Sequence, residues 1–264
     1  MDFLLLLKAL ILGIVEGLTE FLPISSTGHL IIVGDLLKFT GERAKTFEIF
    51  IQLGSILGVA WFYRARLLDI ATGLSKPPAQ RFVLNLSIAF LPAAAVGLLA
   101  HEYIREYLFS PITVAIALIA GGVAILIIES LPLRGRITDM TELTPLDAFK
   151  IGLAQTCALF PGVSRAGATI MGGLLSGLTR TVATEFSFFL AMPTMVAATL
   201  YDLYKSRAFL QADDTFIFGV GFVSAFISAL LVVKLFLAYV ARHNFKAFAY
   251  YRIGFGLLVL AYFV

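Results

Sequence analysis

The stretch Glu16-Gly17-Leu18-Thr19-Glu20-Phe21-Leu22-Pro23-Ile24-Ser25-Ser26-Thr27-Gly28-His29 concentrates two carboxylates, several hydroxyls and an imidazole between two apolar runs. Glu16 and Glu20 stand four residues apart, so on a helix both carboxylates leave from one face. Like charges repel there, and each carboxylate in an apolar setting costs on the order of 2.5–3.5 kcal/mol. A hard cation such as Mg²⁺ or Ca²⁺, or a shared proton, relieves both penalties; a solvated pair at a helix end is the other reading. After Pro23, the hydroxyls of Ser25, Ser26 and Thr27 stand where a new helix can start, and free N–H groups at such a start accept an anion, phosphate above all. In that setting Ser26 has the chemistry of a nucleophile with His29 as its base. Helix capping by Ser25–Thr27, with His29 a satisfied polar residue, is the plainer alternative.

A second cluster follows at Phe160-Pro161-Gly162-Val163-Ser164-Arg165-Ala166-Gly167-Ala168-Thr169. Laying residue n on residue n + 139, without gaps from 12/151 to 55/194, gives eleven identities in 44 positions. Gly13/Gly152, Ser25/Ser164, Gly28/Gly167 and Gly34/Gly173 are among them, so the glycines and the serine coincide at the breaks. The copies differ in charge. Gln155 and Leu159 replace the two glutamates, and Arg165 replaces Ser26. An arginine in an apolar chain needs a partner, and its planar fork suits phosphate oxygens. A glutamate of the first copy is the alternative partner.

The elements that position these groups are set by composition. The chain is 59% hydrophobic and 14% charged, against about 45–50% and about 25% in soluble domains. That excludes a water-soluble fold and implies an all-α polytopic membrane protein, read as a single membrane domain over 1–264. Repeat one covers about 1–131 and repeat two about 146–264. Six stretches are long enough to span: Phe47–Tyr63, Phe82–Ala100, Ile112–Leu131, Phe186–Tyr204, Phe216–Tyr239 and Ala247–Val264. Segments 3–37 and 146–178 are apolar runs broken by proline, glycine and polar residues, and read as two pairs of re-entrant half-helices; a conventional span over 3–22 is the alternative. Three spans separate equivalent points of the two copies, so the second is inverted, an arrangement typical of secondary transporters.

Loops one, three and five hold nine basic residues, against three in loops two and four. That asymmetry puts the odd loops in the cytoplasm and the end of the chain outside, although Lys38, Arg43 and Lys45 oppose it. The net charge of +3 belongs to those loops, and no basic run with interleaved aromatics supports nucleic-acid binding. The lone Cys157 excludes an internal disulfide, and Met1-Asp2 without a basic segment predicts no removable signal peptide. Glu48 and Gln52 share a face and are candidates to line a cavity. Glu185 is expected at a helix start, Glu129 near a span end, and His101 and His243 in loops.

These motifs resemble the undecaprenyl-diphosphate phosphatase family, also known for bacitracin resistance. The likeness runs through nearly the whole chain. The family's glutamate motif falls on Glu16 and Glu20, and its serine and histidine on Ser26 and His29. Its Pro-Gly-x-Ser-Arg-Ser-x-x-Thr motif falls on Pro161 to Thr169. Ser164, Arg165 and Thr169 are kept, while Ala166 replaces the second serine. The resemblance implies a bacterial inner-membrane, multi-pass enzyme that hydrolyses undecaprenyl diphosphate to undecaprenyl phosphate and inorganic phosphate for peptidoglycan synthesis. It implies a divalent cation, Mg²⁺ or Ca²⁺, a site facing the periplasm, and the inverted re-entrant architecture. The expected assignments are Ser26, His29, Glu20 and Arg165 as catalytic residues and Glu16 and Glu20 as metal ligands. Ser25, Thr27, Gly28, Gly162, Ser164 and Thr169 are expected to surround the phosphates. The rival from another class is a transporter or flippase for an anionic polyprenyl lipid, which needs a charge pair but no nucleophile.

Overall fold

The computed structural model describes residues 3–103, 108, 110–206 and 215–264; Arg105 and Arg207, counted above in loops two and four, lie outside them. The described residues form eleven α-helices: α1 (Phe3–Thr19), α2 (Ser26–Leu36), α3 (Glu42–Phe62), α4 (Arg64–Thr72), α5 (Pro77–Tyr103), α6 (Pro111–Ser130), α7 (Pro145–Thr156), α8 (Arg165–Leu175), α9 (Arg180–Ser206), α10 (Thr215–Val240) and α11 (Lys246–Phe263). Four stretches, within α5, α6, α9 and α10, are long and apolar enough to cross a membrane, and the bent pair α3–α4 makes a fifth if taken as one span. The sequence reading anticipated six. The stretch over 247–264 does form α11, but Lys246, Tyr250, Tyr251 and Arg252 interrupt its apolar sequence. Leucines such as Leu91, Leu98, Leu231 and Leu257 stay exposed on the outside. Apolar patches of that kind face lipid rather than water.

Both broken segments form helix–break–helix units. α1 stops at Thr19 and α2 begins at Ser26; α7 stops at Thr156, passes through a short 3-10 turn at Cys157–Leu159, and α8 begins at Arg165. Pro23 and Pro161 lack the N–H that would carry a helix through, and the residue before each is driven toward extended backbone. The residues preceding α2 and α8, Ser25 and Ser164, both have positive φ, 68° and 72°. Non-glycine residues rarely hold that conformation, at about 1–3 kcal/mol each. Two aligned serines sharing it tie the local structures of the copies together.

The packing crosses between copies. α1 lies on α10 while α7 lies on α5, α3 meets α9, and α6 meets α11. Gly13 approaches Gly221 and Gly17 approaches Ala225 and Ser228, so α1 runs parallel to α10. Asn85 donates to the carbonyl of Leu143 just before α7, and Gly152 approaches Ala89, so α7 runs parallel to α5. The segment before α7 returns to the end of α8 through Ile137, whose N–H donates to Gly177 O and whose carbonyl accepts from Thr179 N, both at 3.0 Å. Loop one (Arg66, Lys76) shares a surface pocket with Thr141 of loop three, and Leu133 and Gly135 share another with Arg242 and Asn244. The three loops expected on one side therefore meet at one end.

His101 belongs to the last turn of α5 rather than to a loop. Glu185 lies inside α9, beyond its start at Arg180, where Tyr63 donates to it at 3.4 Å. Glu129 closes α6, pairs with Arg180 and accepts from Phe245 N at 2.9 Å. His243 is exposed and stacks on Tyr239.

Gly13→Leu is expected to wedge α1 from α10, because a side chain there meets Ser224 Oγ and, just behind it, the Gly221 backbone, which cannot turn aside. Overpacking of that kind costs about 1–3 kcal/mol or more. A lower Tm in detergent for the variant checks it, and an unchanged Tm contradicts the close contact.

Candidate functional site

Ser26 is the first residue of α2 and Arg165 the first of α8, so each break delivers one reactive side chain at a helix N-terminus. The Ser26 hydroxyl donates to Glu20 Oε2 at 2.5 Å, and Arg165 Nη2 donates to Glu20 Oε1 at 3.0 Å. One carboxylate thus links the hydroxyl of the first copy to the cation of the second, with the Arg165 and Glu20 side chains only 10% and 9% exposed. Arg165 also donates through Nη1 to Ser187 O at 3.2 Å and lies over the Phe21 ring at 5.4 Å. Ser187 Oγ and Thr169 Oγ1 are 2.6 Å apart, and Thr169 donates to Arg165 O at 2.9 Å. Ser187 is a site residue the motif reading missed.

A serine hydroxyl held by a carboxylate has the proton acceptor that nucleophilic attack requires. The spacing Ser26-x-x-His29 does not become a contact. His29 Nδ1 is 2.8 Å from Ser25 O, and Nε2 is 2.7 Å from the Tyr251 hydroxyl. A carbonyl only accepts, so Nδ1 carries the proton and Nε2 accepts from Tyr251. The imidazole is stacked against Phe255, ring centroids 4.2 Å apart. His29 therefore grips the carbonyl of the residue whose backbone is at φ 68°, and that backbone aims Ser26.

Glu16 is fully buried, and neither carboxylate oxygen has a hydrogen-bond partner. It feels the charges of Glu20, Glu48 and Arg165. An unpaired buried carboxylate demands a neutralising species, and two free oxygens fit a hard cation. Among the described residues no three acidic, histidine or cysteine side chains converge on one ion.

The other candidates line the two tips. Thr27 is half-buried and Gly28 is buried against Leu118. Ser25 is N-cap of α2 without a side-chain cap bond, so the N–H groups of the first turn have no intrahelical partner. Ser164 caps α8, accepting from Gly167 N at 3.1 Å, and donates to Leu22 O at 3.4 Å across the copies. Gly162 has φ +96°, and a side chain there would strike the backbone of Val114. Ala166 is fully buried, so a methyl group fills the place of the motif's second serine. Glu48 is half-buried and Gly34 faces it.

The largest surprise is Arg252, in the middle of α11 and 1% exposed. Its guanidinium donates to Pro23 O (3.1 Å) in the first tip, Gly162 O (3.0 Å) and Val163 O (2.9 Å) in the second, and Ala117 O and Leu118 O (both 3.2 Å) of α6. Gly121 makes room for the group: a side chain there would collide with the guanidinium. An arginine inside an apolar run is the signal that could have found it.

Fold and site define an all-helical membrane protein whose polar centre pairs a carboxylate-held serine with a buried arginine, both at helix N-termini where anions bind. The chain matches the family model described as bacitracin resistance protein BacA over residues 9–258, and it belongs to that family. A protein of Methylobacillus flagellatus named undecaprenyl-diphosphatase is 58% identical over 268 residues, covering 100% of both chains. Proteins of the same name from Dechloromonas aromatica and Nitrosomonas eutropha are 59% and 58% identical, covering 99% and 98% of this chain and 96% and 95% of theirs.

Arg252→Met is expected to strip the carbonyls of Pro23, Gly162 and Val163 of their donor, each unsatisfied group costing about 1–3 kcal/mol. Thermal unfolding in detergent should show a Tm lower by about 5 °C or more. Arg252→Lys, with fewer donors and no fork, should recover only part of that loss; full recovery would mean that charge alone matters.

Proposed function

We propose that this protein hydrolyses undecaprenyl diphosphate to undecaprenyl phosphate and inorganic phosphate, regenerating the lipid carrier used in peptidoglycan synthesis. The observation that carries the reading is the Ser26–Glu20–Arg165 chain of hydrogen bonds at two facing helix N-termini. Family membership and full-length relatives named undecaprenyl-diphosphatase support it.

In the proposed reaction the diphosphate head enters between the tips while the polyprenyl chain stays in the apolar surroundings. Arg165 and the N–H groups of the two helix starts meet the phosphate oxygens and stabilise charge as it develops, the largest contribution expected in phosphoryl transfer. Ser26 Oγ attacks the terminal phosphorus and its proton passes to Glu20. The anhydride P–O bond breaks and undecaprenyl phosphate leaves. Water then cleaves the phosphoserine, releasing inorganic phosphate and restoring the hydroxyl. His29 acts through Ser25, holding the backbone that aims Ser26. Glu16, with Glu20 beside it, would hold the divalent cation, which when bound neutralises phosphate oxygens as a Lewis acid.

The architecture belongs to the same proposal: an inverted-topology repeat in which α1–α2 and α7–α8 are re-entrant half-helix pairs entering from opposite faces. The parallel courses of α1 with α10 and of α7 with α5 support it. The basic loops gathered at one end support a bacterial inner-membrane protein with that end cytoplasmic and the site reached from the periplasm.

Phosphate release from undecaprenyl diphosphate by protein in detergent, where no second compartment exists, tests the reading. Wild type is expected to need Mg²⁺ or Ca²⁺ and to stop with chelator. Ser26→Ala should lose activity by about a thousandfold or more, and Arg165→Lys by about a hundredfold or more. Wild-type turnover in Ser26→Ala would demote the serine to a ligand. Absence of release from folded wild type would favour a carrier of an anionic lipid.

A further inference from the structure

A cavity of about 310 Å³ opens between α5, α7 and α9, near the lower end of the roughly 300–1,000 Å³ of ligand pockets. Its walls are apolar, among them Phe90, Ala94, Leu98, Leu159 and Ala198, and Leu98 is 67% exposed on the lipid-facing side. Its polar lining includes Arg165 and Gln155. Two donors of these residues are buried and without partners: Arg165 Nε and the Gln155 amide nitrogen. Gln155 Oε1 lies 3.4 Å from the Thr194 hydroxyl, whose proton goes to Leu190 O at 2.7 Å. Gln155 itself is 1% exposed. Two unmet donors at the inner end of an apolar cavity, one belonging to the catalytic arginine, call for an acceptor that carries an apolar chain.

The copies explain why this side is open. Gln155 holds the register of Glu16, and Ala198 on α9 holds the register of Val59 on α3, where valine is fully buried in the core. The first copy keeps the acid and fills the space; the second neutralises the acid to an amide and trims the wall. A carboxylate at 155 would repel a phosphate and compete for the guanidinium, whereas an amide donates without charge.

We propose that Gln155 is a substrate-binding residue that donates to the prenyl-linked phosphate, and that the cavity beside it takes the first isoprene units of the tail. The proposal rests on the diphosphatase reading. It makes the second copy the side that recognises the part of the substrate that is not released as inorganic phosphate.

Kinetics and labelling test it together. Gln155→Glu and Gln155→Leu are compared with wild type on undecaprenyl diphosphate, reading KM and kcat separately. Loss of one hydrogen bond to a charged group is expected to raise KM by about tenfold or more, with Gln155→Glu the worse variant and kcat less affected. In parallel, wild type is irradiated with farnesyl diphosphate bearing a diazirine in its first isoprene unit. Label is expected on α5 between Phe90 and Leu98 or on α9 between Thr194 and Tyr201. Wild-type KM in both variants, or label confined to other helices, overturns the proposal. Failure of wild type to release phosphate would instead overturn the functional reading beneath it.

Discussion

The backbones of the two tips that form the site are bridged by one side chain reaching in from another helix. Arg252 reaches from α11 into the space between the two tips and gives its N–H groups to carbonyls of both tips and of α6. A break in a helix frees carbonyls that an apolar environment cannot satisfy. Here a guanidinium satisfies them, and a delocalised cation among carbonyl dipoles is compensated in turn. Without that arrangement the two loops that deliver Ser26 and Arg165 would be left with the long Ser164–Leu22 hydrogen bond as their backbone link. With it, the carboxylate of Glu20 can span the copies.

The division of labour between the copies follows from the same constraint. Two identical tips would place like groups face to face, acid against acid or arginine against arginine. Instead the first keeps its acids and a hydroxyl and the second keeps a cation, so the interface between tips is electrostatically complementary. Each tip nonetheless carries a serine at positive φ before its helix start.

Much of this was legible in the chain. The breaks fall where Pro23 and Pro161 sit, and the aligned Ser25 and Ser164 mark the same backbone turn. Glutamate of the first copy was weighed as a partner for Arg165, and Glu20 is that partner. What could not be read were contacts set by the third dimension. Ser26-x-x-His29 has helical spacing, yet the ring swings back to Ser25 O and out to Tyr251 on a distant helix. Arg252 stands as a charge inside an apolar run, but its acceptors come from three separate segments, each an ordinary backbone carbonyl with no side-chain signature. α11 was accordingly taken as a plain span, although its polar residues are what make it a clamp.

The ion pair between Glu20 and Arg165 also makes each half dependent on the other. An assembly of two identical subunits could have used its tips symmetrically, each supplying every group. Here one tip has the acids and the other the arginine, so neither could pair in this way with a copy of itself. Two unlike halves that must meet one to one are served by a single polypeptide, which fixes their ratio.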